Sequence, residues 1–244
     1  MLSICVLAFN HPELTDRCCQ SLMQQVFSGI PFERLVVDNG SATPYQPPAG
    51  WRVHRLEQNV GGISGQNVCF QAAQGDWVLF ISNDVVFLPE ALQKLWMWKF
   101  YGQLMPLILN PDDLTVQSAG GSWVWPGYGI NRTSGSPWMR CDYCPSITYL
   151  MPKRLWHSVG GFNETLPGAY EDVDLGLKID CRCTDEAKVT HAANSTLRYR
   201  LKDRWRFQVA RQRVVQEHYR GIDRWLRLKA LQLLSRGAPD SHSV

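Results

Sequence analysis

The chain has no apolar run approaching the roughly 20 residues that a membrane-spanning helix needs. It has no internal repeat and no low-complexity segment, so neither a solenoid nor a tail-like disordered protein is expected. No Gly-Lys-Ser/Thr ending follows its glycine cluster, which excludes a phosphate loop of the Walker type. The apolar start, Leu2 to Phe9, lacks a basic leader and a small-residue cleavage site. It reads as a first core strand, not as a signal peptide. A chain without a signal is expected in the cytoplasm, where its eight cysteines stay mostly reduced. No nucleic-acid-binding motif is present, and no nucleic-acid partner is expected.

What is present suits one large α/β domain with an appendage. The 244 residues are 45% apolar, enough for a sizeable core. Charge is uneven. Residues 1–197 hold thirteen Lys and Arg against eighteen Asp and Glu, whereas residues 198–236 hold twelve against three. The expected division is a catalytic-type domain over 1–197 and a basic helical extension with a short flexible tail over 198–244.

The first half alternates strand and helix patterns. Leu2 to Phe9 and Phe32 to Val37 read as strands, Trp51 to Leu56 as a more polar third. Between the first two, Pro12 to Gln25 reads as a helix with Leu14, Cys18, Leu22 and Val26 along one face. Asn59 to Asn67 is a glycine-rich turn running into a helix through Ala73. Trp77 to Val86 is a buried strand with one carboxylate, Asp84, at its exit, and a helix is expected from Pro89 to Tyr101. This alternation predicts a mostly parallel sheet covered on both faces. In the second half, Leu107 to Trp125 reads as strand and turn, and Pro126 to Pro145 as a pocket-shaping loop. Ser146 to Met151 reads as a strand, Pro152 to Ser158 and Glu171 to Asp180 as helices, and Ala187 to Thr190 as a short strand. Arg200 to Leu234 reads as helical with a break near Gly221.

Three strand ends of the first half carry polar groups: Asn10, Asp38 with Asn39, and Asp84. In a parallel sheet these ends share one edge, where open α/β sheets bind ligands. Asp84 has a plainer use as a cap for the following helix. Gly61, Gly62 and Gly65 allow close backbone approach to a ligand, or simply a tight strand–helix connection. Glu171, Asp172 and Asp174 suit the positive end of a helix, which explains three acids within four residues without any chemistry. His191 follows a short apolar run and has a structural reading as well as a ligand reading.

The motifs taken in order are more specific than any one of them. They are V-L-A-F-N (Val6 to Asn10), L-V-V-D-N-G-S (Leu35 to Ser41), N-V-G-G-I-S-G-Q-N (Asn59 to Asn67) and F-I-S-N-D-V (Phe80 to Val85). G-G-F-N-E (Gly160 to Glu164), Y-E-D-V-D-L (Tyr170 to Leu175) and His191 follow. Over Leu2 to Thr196 the chain resembles family 2 glycosyltransferases, nucleotide-sugar enzymes of the GT-A fold that include bacterial rhamnosyl- and other polysaccharide transferases. The resemblance implies a Rossmann-like, mostly parallel sheet with flanking helices, followed here by the helical arm. It implies an inverting transfer from a UDP- or dTDP-linked sugar to a glycan or lipid-linked hydroxyl. By the same resemblance Ala8, Asn10, Asp38 and Asn39 hold the nucleoside, and Asn59, Gly61, Gly65 and Asn67 line the nucleotide pocket. Asn83 and Asp84 occupy the end of the family's D-x-D, with Asp84 and His191 as ligands of Mn²⁺ or Mg²⁺. Asp172, with Glu171 beside it, falls on the general base.

The chain departs from the family pattern at Ser82, which replaces the first acid of D-x-D, and at Asn163, where the family has Asp. A single carboxylate suffices for a hard divalent ion that also takes phosphate and water oxygens. Imidazole as a second ligand favours Mn²⁺. Cys141, Cys144, Cys181 and Cys183 are candidates for a four-thiolate zinc site, against free thiols in a reducing compartment. Trp123, Trp125, Tyr128 and Trp138 are candidates for stacking on acceptor sugar rings. The arm mixes arginine with Trp205, Phe207, Trp225, Leu226 and Leu228. It is open to peripheral membrane contact through 198–236 at the inner face, to packing on the domain, or to dimerisation. Two rivals stand against the transferase reading. One is a pyrophosphorylase, disfavoured because Asn10-His11-Pro12-Glu13 stands where its glycine-rich basic loop is expected. The other is a non-catalytic binding or assembly protein that has kept the fold.

Overall fold

The computed structural model describes residues 1–27, 29–99, 102–134, 139–192 and 204–236. Leu2–Ala8 (β1) lies between Phe32–Asp38 (β2) and Trp77–Ser82 (β4), parallel to both. Arg52–Arg55 (β3) adds to β2, also in parallel. β1 and β4 are apolar on both faces where they cross the core, Ser3 excepted: residues 2–6 of β1 and 78–81 of β4 are fully buried. That is the pattern of a sheet sandwiched between helices. Pro12–Met23 (α1) and Gly61–Ala72 (α2) pack against β1.

At β4 the pairing changes. Thr148–Pro152 (β11) runs antiparallel to it, with Tyr149 opposite Phe80. Gln103–Leu109 (β6) follows, then Cys181–His191 (β12), parallel to β6. The order is β10-β12-β6-β11-β4-β1-β2-β3, where β10 is Met139–Cys141. Val85–Phe87 (β5) pairs with the end of β12, and Val116–Ser118 (β7) with β6. A separate hairpin joins Gly121–Val124 (β8) to Tyr128–Asn131 (β9). The remaining helices are Ala91–Met97 (α3), Lys153–Ser158 (α4), Glu171–Gly176 (α5), Arg204–His218 (α6) and Gly221–Arg236 (α7).

Four expectations need correction. The Trp77 run is two strands, because Asn83 and Asp84 turn the chain between β4 and β5. The expected pocket loop contains β9 and β10, whose glycines and polar residues hid their pairing. The helix at Glu171 ends at Gly176, where a Cβ would run into the Asp142 carbonyl. The last strand begins at Cys181, not at Ala187. Its charged Asp185, Glu186 and Lys188 fall around an irregularity between Thr184 and Lys188, which breaks the two-residue alternation.

The arm packs on the domain through one face. Ala210, Val214 and Val215 of α6 and Leu231 of α7 are buried. A Cβ on Gly127 would press on Val215 and Leu231, so the β8–β9 turn approaches both arm helices closely. Arg227 donates to the Pro126 carbonyl and stacks over Tyr219 at 4.0 Å. Residues 198–203 and 237–244 of the arm, and Trp138, lie outside the described residues.

The exit of β2 depends on Gly40. Its φ is +72°, and a Cβ there would collide with the backbone of Gln58 and Asn59. Gly40→Ala is expected to cost about 1–3 kcal/mol, from left-handed strain and from displacing the Asn59 turn. A urea or thermal melt checks this; an unchanged midpoint would remove the close approach from the account.

Candidate functional site

Antiparallel insertion of β11 decides where the site forms. β4 ends at Ser82, so β11 begins beside it, and the Ser82 N–H donates to the Ile147 carbonyl at 2.8 Å. β6 and β12 end at the same edge, because β12 is parallel to β6 and finishes at His191, opposite Val85. Asp84, His191 and the Ser146–Ile147 segment therefore meet at one edge of the sheet.

Asp84 and His191 touch, with Oδ2 to Nε2 at 3.2 Å and both side chains about one-tenth exposed. The imidazole is oriented by a residue that sequence reading missed. Gln117 on β7 donates its Nε2 to the His191 carbonyl at 3.3 Å and to Asn110 Oδ1 at 3.1 Å. A carbonyl can only accept, so the amide is fixed with Oε1 toward His191 Nδ1, at 2.7 Å. Nδ1 then carries the proton, and in the neutral ring Nε2 presents its lone pair beside Asp84. An acid and an imidazole so arranged, with a bonded outer partner, fit a divalent ion that takes further ligands from phosphate and water. Among the described residues no group of three or more His, Cys, Asp or Glu is placed to hold a metal alone. Asp84 also lines a small cavity of about 20 Å³ with Leu14, Arg17, Val86, Pro111, Thr190 and Ala192. A larger cavity of about 300 Å³, including Phe32, Glu33 and Arg34, lies at the start of β2, the opposite edge from these groups. Asn83 is tied to α1 by a 3.0 Å bond to Thr15 Oγ1.

Glu171 and Asp172 open α5, after Tyr170 in a left-handed turn (φ 66°). Burial, and then the charge of Glu171, push Asp172 up to about 8. N–H groups of Val173 and Ser146 pull the other way without prevailing. Glu171 is also raised, chiefly by burial, against a 3.3 Å bond from Gln66 Nε2. The Ser146 contact puts Asp172 next to the residue bonded to Ser82, on the edge that carries Asp84.

The glycine-rich helix is joined to this pair. Gln66 reaches Glu171 with one end and accepts from Tyr149 Oη at 2.9 Å with the other. Asn67 spends all its bonding capacity on the G-G-F-N-E turn and α4. Nδ2 donates to the Phe162 carbonyl (3.0 Å) and Glu164 (2.6 Å), and Oδ1 accepts from Phe162 N–H (2.9 Å) and Trp156 Nε1 (3.2 Å). Gly65 lets α2 press on Leu7 and Asn39. Gly61 and Gly62 have open space where a side chain would be. Asn67 and Gly65 are thus engaged by protein, while Gly61 faces free space.

The strand-end groups build a cradle of turns. Asn10, left-handed at φ 53°, accepts from Ala42 N–H at 3.0 Å, next to the end of β1 at Ala8. Asn39 accepts from Val60 N–H and donates to Asn59 Oδ1 and the Gly61 carbonyl. Asp38 is fully buried; its oxygens accept from Ser41 N–H (2.9 Å), Tyr45 N–H (3.1 Å) and Arg55. Burial would raise its pKa, but these donors outweigh burial and hold it below the usual carboxylate range. Asp38 therefore shapes the loop, with Arg55 as its counter-ion.

Two neighbouring groups of candidate residues stand apart from this edge. The four-thiolate zinc site is not assembled among the described residues. Cys141 faces Cys181 across β10 and β12, whereas Cys183 faces Met139. Cys181 Sγ is bonded to Gln103 Oε1 at 3.2 Å; Cys144 is in bonding contact with Cys141 and Cys181, which lowers the Cys141 thiol, while burial pushes the Cys144 and Cys183 thiols up. Asp174, the third acid of Y-E-D-V-D-L, faces the arm. It is bonded to Lys178 and to His218 Nε2, each at 2.8 Å. Beside the carboxylate pair, Tyr170 packs edge-on with Trp123 at 5.7 Å and with Phe207 of α6 at 6.2 Å. Arg211 lies over Tyr128 at 4.3 Å.

Residues 3–99 match the family described as Glycosyl transferase family 2. A Haemophilus influenzae protein named as an uncharacterized glycosyltransferase is 26% identical over 186 residues, covering 73% of this chain and 62% of the relative. The chain thus spans less than two thirds of that relative's length. The structure of Staphylococcus aureus TarS 1–349 in complex with UDP-GlcNAc superposes with a TM-score of 0.66 at 19% identity, over 95% of this chain and 71% of that one. The mannosyltransferase PcManGT from Pyrobaculum calidifontis, in complex with GDP-Man and Mn²⁺, gives 0.61 at 13% identity, over 97% and 70%. Such identities speak for the fold. With the motif order and the single-edge site already described, they lead to one assignment: the chain has the GT-A fold, and its residues 3–99 match glycosyltransferase family 2.

Proposed function

We propose that this protein is an inverting glycosyltransferase that moves a sugar from a UDP- or dTDP-linked donor to a hydroxyl of a glycan or lipid-linked acceptor. One observation carries the reading: a carboxylate raised to about 8, Asp172, lies at the sheet edge where Asp84 meets His191. The similarity to proteins solved with UDP-GlcNAc and with GDP-Man supports the donor class.

In this reading the nucleoside sits against the turns at Ala8, Asn10 and Asn39, with Asp38 acting through the loop and Arg55 that it holds. The diphosphate lies at the start of α2, where Gly61 and Gly62 leave the backbone open and the helix end favours negative charge. Asp84 and His191 would hold a divalent ion, Mn²⁺ or Mg²⁺, which when bound neutralises charge on the leaving diphosphate. Asp172 accepts the proton of the acceptor hydroxyl as that oxygen bonds to the anomeric carbon. Attack from the face opposite the leaving group inverts the centre. Glu171 sets the basicity of Asp172 by its charge and is itself positioned by Gln66. The aromatic group of Trp123, Tyr128 and Tyr170 supplies apolar faces for acceptor sugar rings.

Three measurements test this. In a thermal-shift panel with UDP, dTDP, GDP and CDP, each with and without Mn²⁺, one diphosphate near 100 Kd should raise Tm by about 5–10 °C. Asp84→Ala should remove the metal-dependent part. No shift at millimolar nucleotide would sink the donor site, and a shift without turnover would favour the binding-protein alternative. The pH profile follows from the raised pair. Asp172 must lose its proton to act, so kcat/KM should rise with pH and level off above about 8. Glu171→Gln removes a neighbouring negative charge and should move the rise to lower pH. Asp172→Asn should lower kcat by about 10²–10⁴ with nucleotide binding intact; a profile flat from pH 5.5 to 9 would exclude this base. Finally, Gln117→Leu should weaken Mn²⁺ binding about 10–100-fold, read by the paramagnetic signal of free Mn²⁺.

A further inference from the structure

The arm uses only one face of α7 for packing. Leu231 is buried, Leu228 and Ala230 are half-buried and Arg227 is anchored at Pro126, but the other large apolar side chains of the helix face outward. Ile222 is 78% exposed and Leu233 67%; Trp225, Leu226 and Leu234 are also exposed. Ile222, Leu226, Lys229 and Leu233 are spaced four, three and four apart, so they form one stripe, flanked by Trp225. Five large exposed side chains within one four-turn helix are a patch, not scattered surface hydrophobes.

We propose that this stripe is a docking surface for an anionic lipid bilayer, on which α7 lies parallel to the surface. Charge chooses the occupant. The two arm helices, residues 204–236, carry nine Lys and Arg against two acids. A second copy would bring like charge against like, and Lys229 is at the middle of the stripe. In either a parallel or a two-fold antiparallel helix pair centred there, Lys229 would meet its own counterpart. An anionic surface has the complementary sign, and an aliphatic stripe with a flanking tryptophan and basic residues is the composition that binds at a headgroup interface. Among the described residues no helix is long and apolar enough to cross a membrane, so α7 lies on the bilayer instead of spanning it.

The placement relates this surface to the proposed acceptor side. α7 is fixed to the turn of the β8–β9 hairpin, which also exposes Trp125 and Ile130. α6 touches Tyr170, immediately before the carboxylate pair. Lipid contact through α7 would therefore hold the acceptor side of the protein at the bilayer, where a lipid-linked acceptor lies. That last step rests on the transferase reading; the surface itself does not.

The experiment is flotation of the full-length protein with vesicles of phosphatidylcholine containing phosphatidylglycerol, against phosphatidylcholine alone, without nucleotide. Binding should be at least tenfold stronger to the anionic vesicles and should fall as salt rises. Trp225→Glu with Leu233→Glu should reduce it at least tenfold. Lys229→Glu, which keeps the apolar residues, should reduce it about tenfold. Because these positions are exposed, Tm and the nucleotide-induced shift should be those of the wild type, which separates lost binding from lost folding. No flotation with anionic vesicles, or equal flotation of the variants, overturns the proposal. So does a dimer by light scattering that the double variant splits while vesicles bind neither form. Failure here would leave nucleotide-dependent turnover untouched, so the two readings fail separately.

Discussion

The constraint on which the rest depends is the change of pairing at β4. On one side β4 is parallel to β1; on the other it is antiparallel to β11. A strand that leaves the core at an edge is thereby placed beside one that enters at the same edge. The exit supplies Asp84. The entry supplies Ser146, whose N–H is bonded by Asp172, and Ile147, which is bonded to Ser82. Since β12 is parallel to β6, its end returns His191 to the same place. An all-parallel sheet would have sent the chain before β11 to the far edge.

Side-chain bonds then couple the two halves. Asn67, nearly buried, has no free donor or acceptor once it has bonded Phe162, Glu164 and Trp156. Removing such a group would leave several buried polar atoms unpaired, which costs more than the bonds add. Gln66, one residue earlier, links the same helix to Glu171 and Tyr149. Helix α2 therefore offers an open glycine end on one side and positions the acidic pair on the other. Helix α5 has six residues, too few to be stable alone. It is held by Gln66 and by the arm, through Asp174 to His218 and Lys178 to Glu217. The arm is thus part of what orders the site.

The strongly apolar elements were legible in the sequence. The strands around Cys5, Val36 and Leu79, the helix at Pro12 and the break at Gly221 all appear where composition and periodicity put them. The ends of β1, β2 and β4, after which Asn10, Asn39 and Asp84 stand, also share one edge of the sheet. The last strand was misread because charged residues stand at an irregular register. Likewise, the β9 and β10 pairings were hidden in a loop-like composition. Asp38 reads as a binding acid, yet its oxygens are engaged by Ser41, Tyr45 and Arg55.

The sequence by itself determined the parallel core, the ordered set of motifs and the basic character of the arm. These follow from local pattern, which needs no knowledge of distant neighbours. Only the tertiary structure decided that Gln117 fixes the tautomer of His191 and that Asp174 turns from the site to the arm. It likewise decided that the two distant cysteine pairs, Cys141 with Cys144 and Cys181 with Cys183, are not placed as a metal-holding group among the described residues, and that α7 leaves an apolar stripe uncovered. Each depends on which side chains meet across dozens of residues. That is set by strand order and register, and local pattern carries neither.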